Sequence, residues 1–232
     1  MTDRPILFSA PMVRALLDGR KTQTRRALRF QPAPGIGIVR KTIRSADAEP
    51  YHSFERRSLY GNYAGELEVR IKRGDRLWVK ETHAIVPRTA YRMSEGVQQT
   101  LRPNDDHDAA VYAAGWERSK PGRWRPSIHQ PRWASRLTLT VTDVRVERLR
   151  DITRDDAIAE GLVRMPLAPA SAVEMGCDWG FEGDSRHGSP VSAYAALWNS
   201  INGADAWDAN PWVAAYTFTV RHRNIDQIGG AP

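Results

Sequence analysis

The chain of 232 residues holds a single cysteine, Cys177. That excludes an internal disulfide framework and a zinc site built on several thiolates. Nowhere does the sequence approach the roughly 20 consecutive apolar residues of a membrane-crossing helix. Met1–Phe8 carries Asp3 and Arg4 and no apolar leader. A soluble protein of a reducing, cytoplasmic compartment with no membrane partner is expected. His-Glu-x-x-His, a phosphate-binding Walker loop and a Gly-x-Ser-x-Gly elbow are all missing. His52, His83, His107, His187 and His222 show no ligand spacing, and Gly35-Ile36-Gly37 lacks the third glycine of a dinucleotide loop. No metal and no cofactor is expected.

Acidic excess is missing too. Lysine and arginine number 34 against 27 acids, a formal net charge of +7. A basic balance favours a polyanion, because bound phosphates release their counterions. Eight tryptophans lie among the arginines. Such a mixture suits base stacking, although most tryptophans serve a core. RNA or a nucleoside is the expected class of partner.

Pro5–Phe8 reads as a short strand. Ser9 then reads as an N-cap, followed by Met12, Val13, Leu16 and Leu17 at helical spacing, with Gly19 as the stop. Lys21–Leu28 fits an exposed strand or turn. Leu67–Ile71 and Asp75–His83 read as strands around the turn Lys72–Asp75. Arg136–Leu149 reads as a strand pair, with a bulge or tight turn near Thr142-Asp143. Thr153 opens a short helix ending at Glu160-Gly161. Ser189-Pro190 opens another, closed by Gly203. Trp212–Val220 is a final strand and 224–232 a tail. Three stretches, 31–66, 84–130 and 163–187, read as loop-rich insertions, with Val111–Ala113 the only strand-like piece of the second. One domain over 1–223, of class α+β, is expected: a mixed β-barrel flanked by short helices.

Leu17–Arg26, Leu-Asp-Gly-Arg-Lys-Thr-Gln-Thr-Arg-Arg, resembles the Gly-x-Lys-Thr-x-Thr signature of ASCH domains in the PUA-like superfamily. Gly74–Val79 resembles the family's glycine-aspartate turn and central strand. Trp212–Val220 is similar to its closing strand. Trp124–His129 and Trp207–Trp212 are similar to segments of phage and prophage ASCH proteins. The resemblance implies a PUA-like barrel in the bacterial cytoplasm, or in the host cytoplasm for a phage-encoded chain.

The best-defined enzymes of the family are small N4-acetylcytidine amidohydrolases. The resemblance implies that Lys21, Thr24 and Glu160 match their lysine, threonine and glutamate. The chemistry agrees in outline: cleaving an amide on a nucleobase needs a nucleophile, a proton shuttle and charge stabilisation. A threonine hydroxyl needs a basic neighbour, and a desolvated lysine held by a carboxylate supplies one. Glu160 also sits where the helix dipole disfavours an anion. The plainer alternative makes Glu160 a solvated helix-end acid and Lys21 and Thr24 parts of a turn. Strand alternation places Lys21 and Thr24 on opposite faces, so a bend must reorient the lysine.

Arg20, Arg26, Trp78, Glu81, His129 and Arg132 are the candidate substrate-binding residues. Glu81 continues the inward Leu77, Val79 face and needs a cationic partner. Three functions stay open: an amidohydrolase on an N4-acylated cytidine or related nucleoside, a non-catalytic reader of RNA or a modified base, and a phage accessory protein that binds a host partner.

Overall fold

The structure is a computed structural model and describes residues 1–45, 48–165, 178–181 and 186–229. Cys177 lies outside them. In chain order the elements are β1 (Asp3–Leu7), α1 (Ala10–Leu17), β2 (Gln23–Ala27), β3 (Ile36–Ser45), β4 (Ala48–Ser58), β5 (Tyr63–Leu67), β6 (Arg76–Lys80), β7 (His83–Pro87), β8 (Thr100–Leu101), β9 (Asp108–Tyr112), β10 (Thr138–Arg148), α2 (Arg154–Ala159), β11 (Val163–Met165), β12 (Asp178–Gly180), α3 (Pro190–Asn202) and β13 (Trp212–Arg221). Five strands hydrogen-bond in the order β1-β6-β10-β13-β2. The sheets do not close into a barrel. The established architecture is a mixed α+β fold made mostly of strands. Contacts group the residues into two compact units. The first is Met1–Gly19, Gly74–Thr140 and Thr219–Pro232; the second is Arg20–Arg73 and Val141–Phe218.

In the first unit, β1 runs parallel to β6, with Asp3 opposite Arg76 and Leu7 opposite Lys80. The sheet β7-β9-β8 carries a core on each face. Ala84, Val86, Ala109 and Val111 pack with Trp116 and Trp124 on one side. Ala110, Tyr112 and Ala134 pack with Ile85 and Trp133 on the other. Burial on both faces demands a continuous run of small apolar side chains rather than alternation. That is why β7 does not stand out in the sequence; apart from β7, β8 and β9, 84–130 is loop-rich as expected, and the strand-like piece at Val111–Ala113 overlaps the end of β9. The strand expected at Asp75–His83 is two strands, broken after Lys80. The expected tail is anchored at its start: Ile225 is fully buried, and the Asn224 amide donates to the Arg132, Trp133 and Ser135 carbonyls.

In the second unit, 31–66 is not irregular either. β3, β4 and β5 form an antiparallel meander, with Ile36 opposite Ser58 and Phe54 opposite Leu67. Pro32, Pro34 and Gly35 stand before β3, while Gly37, Pro50 and Gly65 lie within β3, β4 and β5, whose pairing absorbs them. β5 ends at Leu67, so the strand expected over Leu67–Ile71 lies four residues earlier. β10 is one unbroken strand of 11 residues, which rules out the strand pair with a tight turn at Thr142-Asp143; the expected slip of phase is there, with Leu139, Val141 and then Val144 buried. Of 163–187, the described ends pair as β11 with β12; the remainder lies outside the described residues.

Ser9 stands at the N-cap position of α1, but its side chain makes no capping hydrogen bond; the start signals of the other two helices act as read. Thr153 and Asp156 close a reciprocal capping box on α2, and Ser189 and Ser192 do so on α3 with Pro190 behind the cap. Val213–Tyr216 of β13 are all buried, so this strand is covered on both faces.

Candidate functional site

The site of the second unit begins at the bend after α1. Gly19 holds φ +71°, the left-handed region that glycine enters freely. The backbone after it is fixed from two sides: Thr22 N–H donates to Ala159 O at 2.9 Å, and Thr22 O accepts from Phe218 N–H at 2.9 Å. β2 starts only at Gln23, so Lys21 escapes strand alternation and turns inward. The segment expected to be exposed is instead buried at Lys21, Gln23, Thr24 and Arg25.

Lys21 is 0% exposed. Its ammonium donates to Glu160 Oε2 at 2.6 Å, Glu160 O at 2.8 Å and Gln23 O at 2.9 Å. All three hydrogens therefore have acceptors. Glu160 ends α2, where its carbonyl is one of the helix's orphan acceptors. The lysine satisfies that carbonyl and places a cation at the negative end of the helix. The apparent dipole violation at Glu160 is thereby offset. Burial pushes the Lys21 pKa below its ordinary value, against the opposing pull of the Glu160 carboxylate.

Glu160 Oε1 accepts from the Arg25 backbone N–H at 2.6 Å and from the Tyr194 hydroxyl at 3.3 Å. Burial, with Glu160 beside it, raises the Tyr194 pKa well above the usual phenol. Around this pair lies a wider ion network. Arg25 Nη2 reaches Glu147 at 2.7 Å and Asp156 at 3.0 Å. Arg145 reaches Asp156 at 2.6 Å and Glu147 at 3.5 Å. The Gln23 amide donates to Asp156 at 3.1 Å while its oxygen accepts from Arg25 Nη1. Lys21, Arg25 and Arg145 thus face Glu147, Asp156 and Glu160, three charges of each sign. Arg25 Nε is buried with no hydrogen-bond acceptor among the described residues.

Thr24 is buried opposite Tyr216 on β13. Its neighbours Gln23 and Arg25 supply the backbone groups that hold Lys21 and Glu160. Its own hydroxyl makes no hydrogen bond among the described residues. Arg26 is half-buried, with its pKa lowered by burial against the pull of Glu160, Tyr194 and Tyr216. Arg20 donates to Gly161 O at 2.8 Å. So five of the nine candidates fall within the short stretch Arg20–Arg26 and the end of α2, and two of them, Lys21 and Glu160, touch directly.

The other four belong to the first unit. Glu81 is 1% exposed and receives a two-pronged guanidinium from Arg136, both contacts at 2.9 Å. Burial nevertheless raises its pKa, with Arg136 opposing. Trp78 is half-buried on β6, with Lys80 Nζ 5.3 Å from its ring centre. His129 is exposed at the end of a 3₁₀ turn. Arg132 is engaged by Asp3 at 2.5 Å and Asp226 at 2.7 Å, an anchor for the C-terminal segment. His83 is fully buried. Its Nδ1 is 3.3 Å from Glu81 O, its Nε2 has no partner among the described residues, and burial lowers its pKa.

The sequence reading passed over Glu147, Asp156 as an ion partner, Arg145 and Tyr194. The alternation Arg145-x-Glu147 on β10 was the available signal: two charges of opposite sign facing one way from the strand. Among the described residues no group of three or more His, Cys, Asp or Glu is arranged to hold a metal. No described helix is long and apolar enough to cross a membrane. No family model, no curated protein and no solved structure matches this chain.

Proposed function

We propose that the chain is a cytoplasmic, nucleobase-binding protein of the ASCH type that hydrolyses the amide of an N4-acylated cytidine or a related modified nucleoside. The same reading takes the five-stranded sheet as the core of a PUA-like barrel. The observation that carries it is the buried 2.6 Å contact between Lys21 and Glu160, with Thr24 also buried three positions after Lys21 and its hydroxyl making no hydrogen bond among the described residues.

In this reading Thr24 Oγ1 attacks the acyl carbonyl. Its proton passes to the Lys21–Glu160 pair, which is net neutral beforehand and carries +1 afterwards. The bond from carbonyl carbon to N4 then breaks, and N4 takes that proton. Water cleaves the threonine ester, so cytidine and the carboxylic acid leave. Because the Lys21 ammonium already uses all three hydrogens, the incoming proton is received on the Glu160 side.

That same saturation favours one alternative, a reader that grips the base without cleaving it. One experiment separates the two. The intact chain is incubated with N4-acetylcytidine, and cytidine release is followed for wild type, Thr24→Ala, Lys21→Ala and Glu160→Gln. The hydrolase reading expects release by wild type, and a loss of 10²-fold or more in each variant that remains folded by circular dichroism. Binding without release supports the reader. Equal release by wild type and Thr24→Ala overturns the assigned nucleophile.

A further inference from the structure

A cavity of about 390 Å³ lies wholly within the first unit, lined by Arg136, Tyr112, Gln98, Trp116, Glu95 and Glu117 among others. Its volume is that of a small-molecule site. Arg136 is 7% exposed and held on several sides. Nε and Nη2 lie on the two Glu81 oxygens at 2.9 Å each, and Nη2 also reaches Ala114 O at 3.3 Å. The guanidinium sits over the Tyr112 ring, 4.1 Å from its centre. Its charge is thereby cancelled and its plane fixed.

Two donors remain. Arg136 Nη1 gives one hydrogen to Gln98 Oε1 at 2.7 Å, and its second has no acceptor among the described residues. The same bond orients the exposed Gln98 amide, whose nitrogen also lacks a partner there. Trp116 lines the cavity with an aromatic ring. Tyr91 and Trp124 fix it in near-perpendicular contacts at 5.1 Å and 5.5 Å between ring centres, and its indole N–H donates to Ser119 O at 3.1 Å. Glu95 and Glu117 line the exposed side. With Glu81 they make three acids against Arg118 and Arg136.

We propose that this cavity binds a free nucleoside, with the base against Trp116 and a ring carbonyl toward Arg136 and Gln98. Neutral donors and a cancelled guanidinium suit a carbonyl oxygen rather than a phosphate. Glu95 and Glu117 accept ribose hydroxyls or an exocyclic amine, and they repel a 5′-phosphate. The site uses neither Lys21 nor Glu160, so it stands or falls apart from the hydrolase reading.

Isothermal titration of the intact chain with uridine, cytidine, adenosine, guanosine and their 5′-monophosphates tests it. At least one nucleoside is expected to bind with a Kd below about 1 mM, and its monophosphate at least tenfold more weakly. Gln98→Ala, at an exposed position, keeps its melting temperature and weakens that binding about tenfold; Trp116→Leu weakens it further. No binding by any nucleoside at about 5 mM overturns the proposal. So does a monophosphate that binds as well as its nucleoside, or binding that neither substitution alters.

Discussion

Lys21 and Glu160 neutralise each other in a place where neither is tolerable alone. An isolated charge at such burial costs several kcal/mol, and the pair removes that cost only while both partners stand. Lys21→Met is therefore expected to destabilise the chain by about 3–5 kcal/mol. Lys21→Met with Glu160→Leu is expected to cost less than the single change. Urea-unfolding midpoints of the three proteins check this, and a double variant weaker than Lys21→Met sinks it. Asp156 gives a second prediction at this scale. Burial alone raises its pKa, but hydrogen bonds from Arg145 and Gln23 and the charge of Arg25 outweigh it, so the carboxyl is held well below the ordinary aspartate value. With a folded pKa depressed below the unfolded one, its stabilisation is fully present above about pH 4 and is lost as pH falls below that. The melting temperature of Asp156→Asn should trail wild type at pH 7, and the gap should narrow steadily as pH falls below about 4.

At the scale of elements, the site depends on two short devices. The six-residue helix α2 presents Glu160 from its end, and it is held at its start by the Thr153–Asp156 capping box. Removing the Thr153 hydroxyl leaves a backbone donor unmet, so Thr153→Ala is expected to cost about 1 kcal/mol. The bend after α1 rests on Gly19 at φ +71°, with no atom within 4 Å of the place a Cβ would take. Gly19→Ala therefore meets a conformational penalty alone, about 1 kcal/mol. Chemical denaturation measures both. A larger loss for Gly19→Ala than for Thr153→Ala by several kcal/mol contradicts this account, because nothing crowds that position.

At the scale of the whole molecule, the +7 charge bears on partners rather than on fold. The internal pairs of Arg25 and Arg145 with Glu147 and Asp156, and of Arg136 with Glu81, leave that excess unchanged. The exposed remainder governs any RNA contact. Fluorescence anisotropy with a labelled single-stranded RNA is expected to show affinity falling as salt rises, with a slope of about −0.7 per phosphate neutralised. A flat response between about 50 and 300 mM salt removes phosphate contacts from the proposed function.

The sequence by itself determined the helices and the caps of α2 and α3, because Ser189-Pro190, Thr153 with Asp156, and the glycines after each helix act over three or four neighbouring residues. It also offered Lys21, Thr24 and Glu160 as a group through a resemblance, without showing that any of them meet. Tertiary structure alone decided the rest. β7 and β9 are legible only once both faces are covered, since His83–Pro87 and Asp108–Tyr112 carry no period of two. β3–β5 needed pairing partners to outweigh the prolines and glycines in and around them. The contact of Lys21 with Glu160 spans 139 positions, and that of Glu81 with Arg136 spans 55. Ion pairs that far apart are set by which strands and helix ends come together, and no local propensity encodes that.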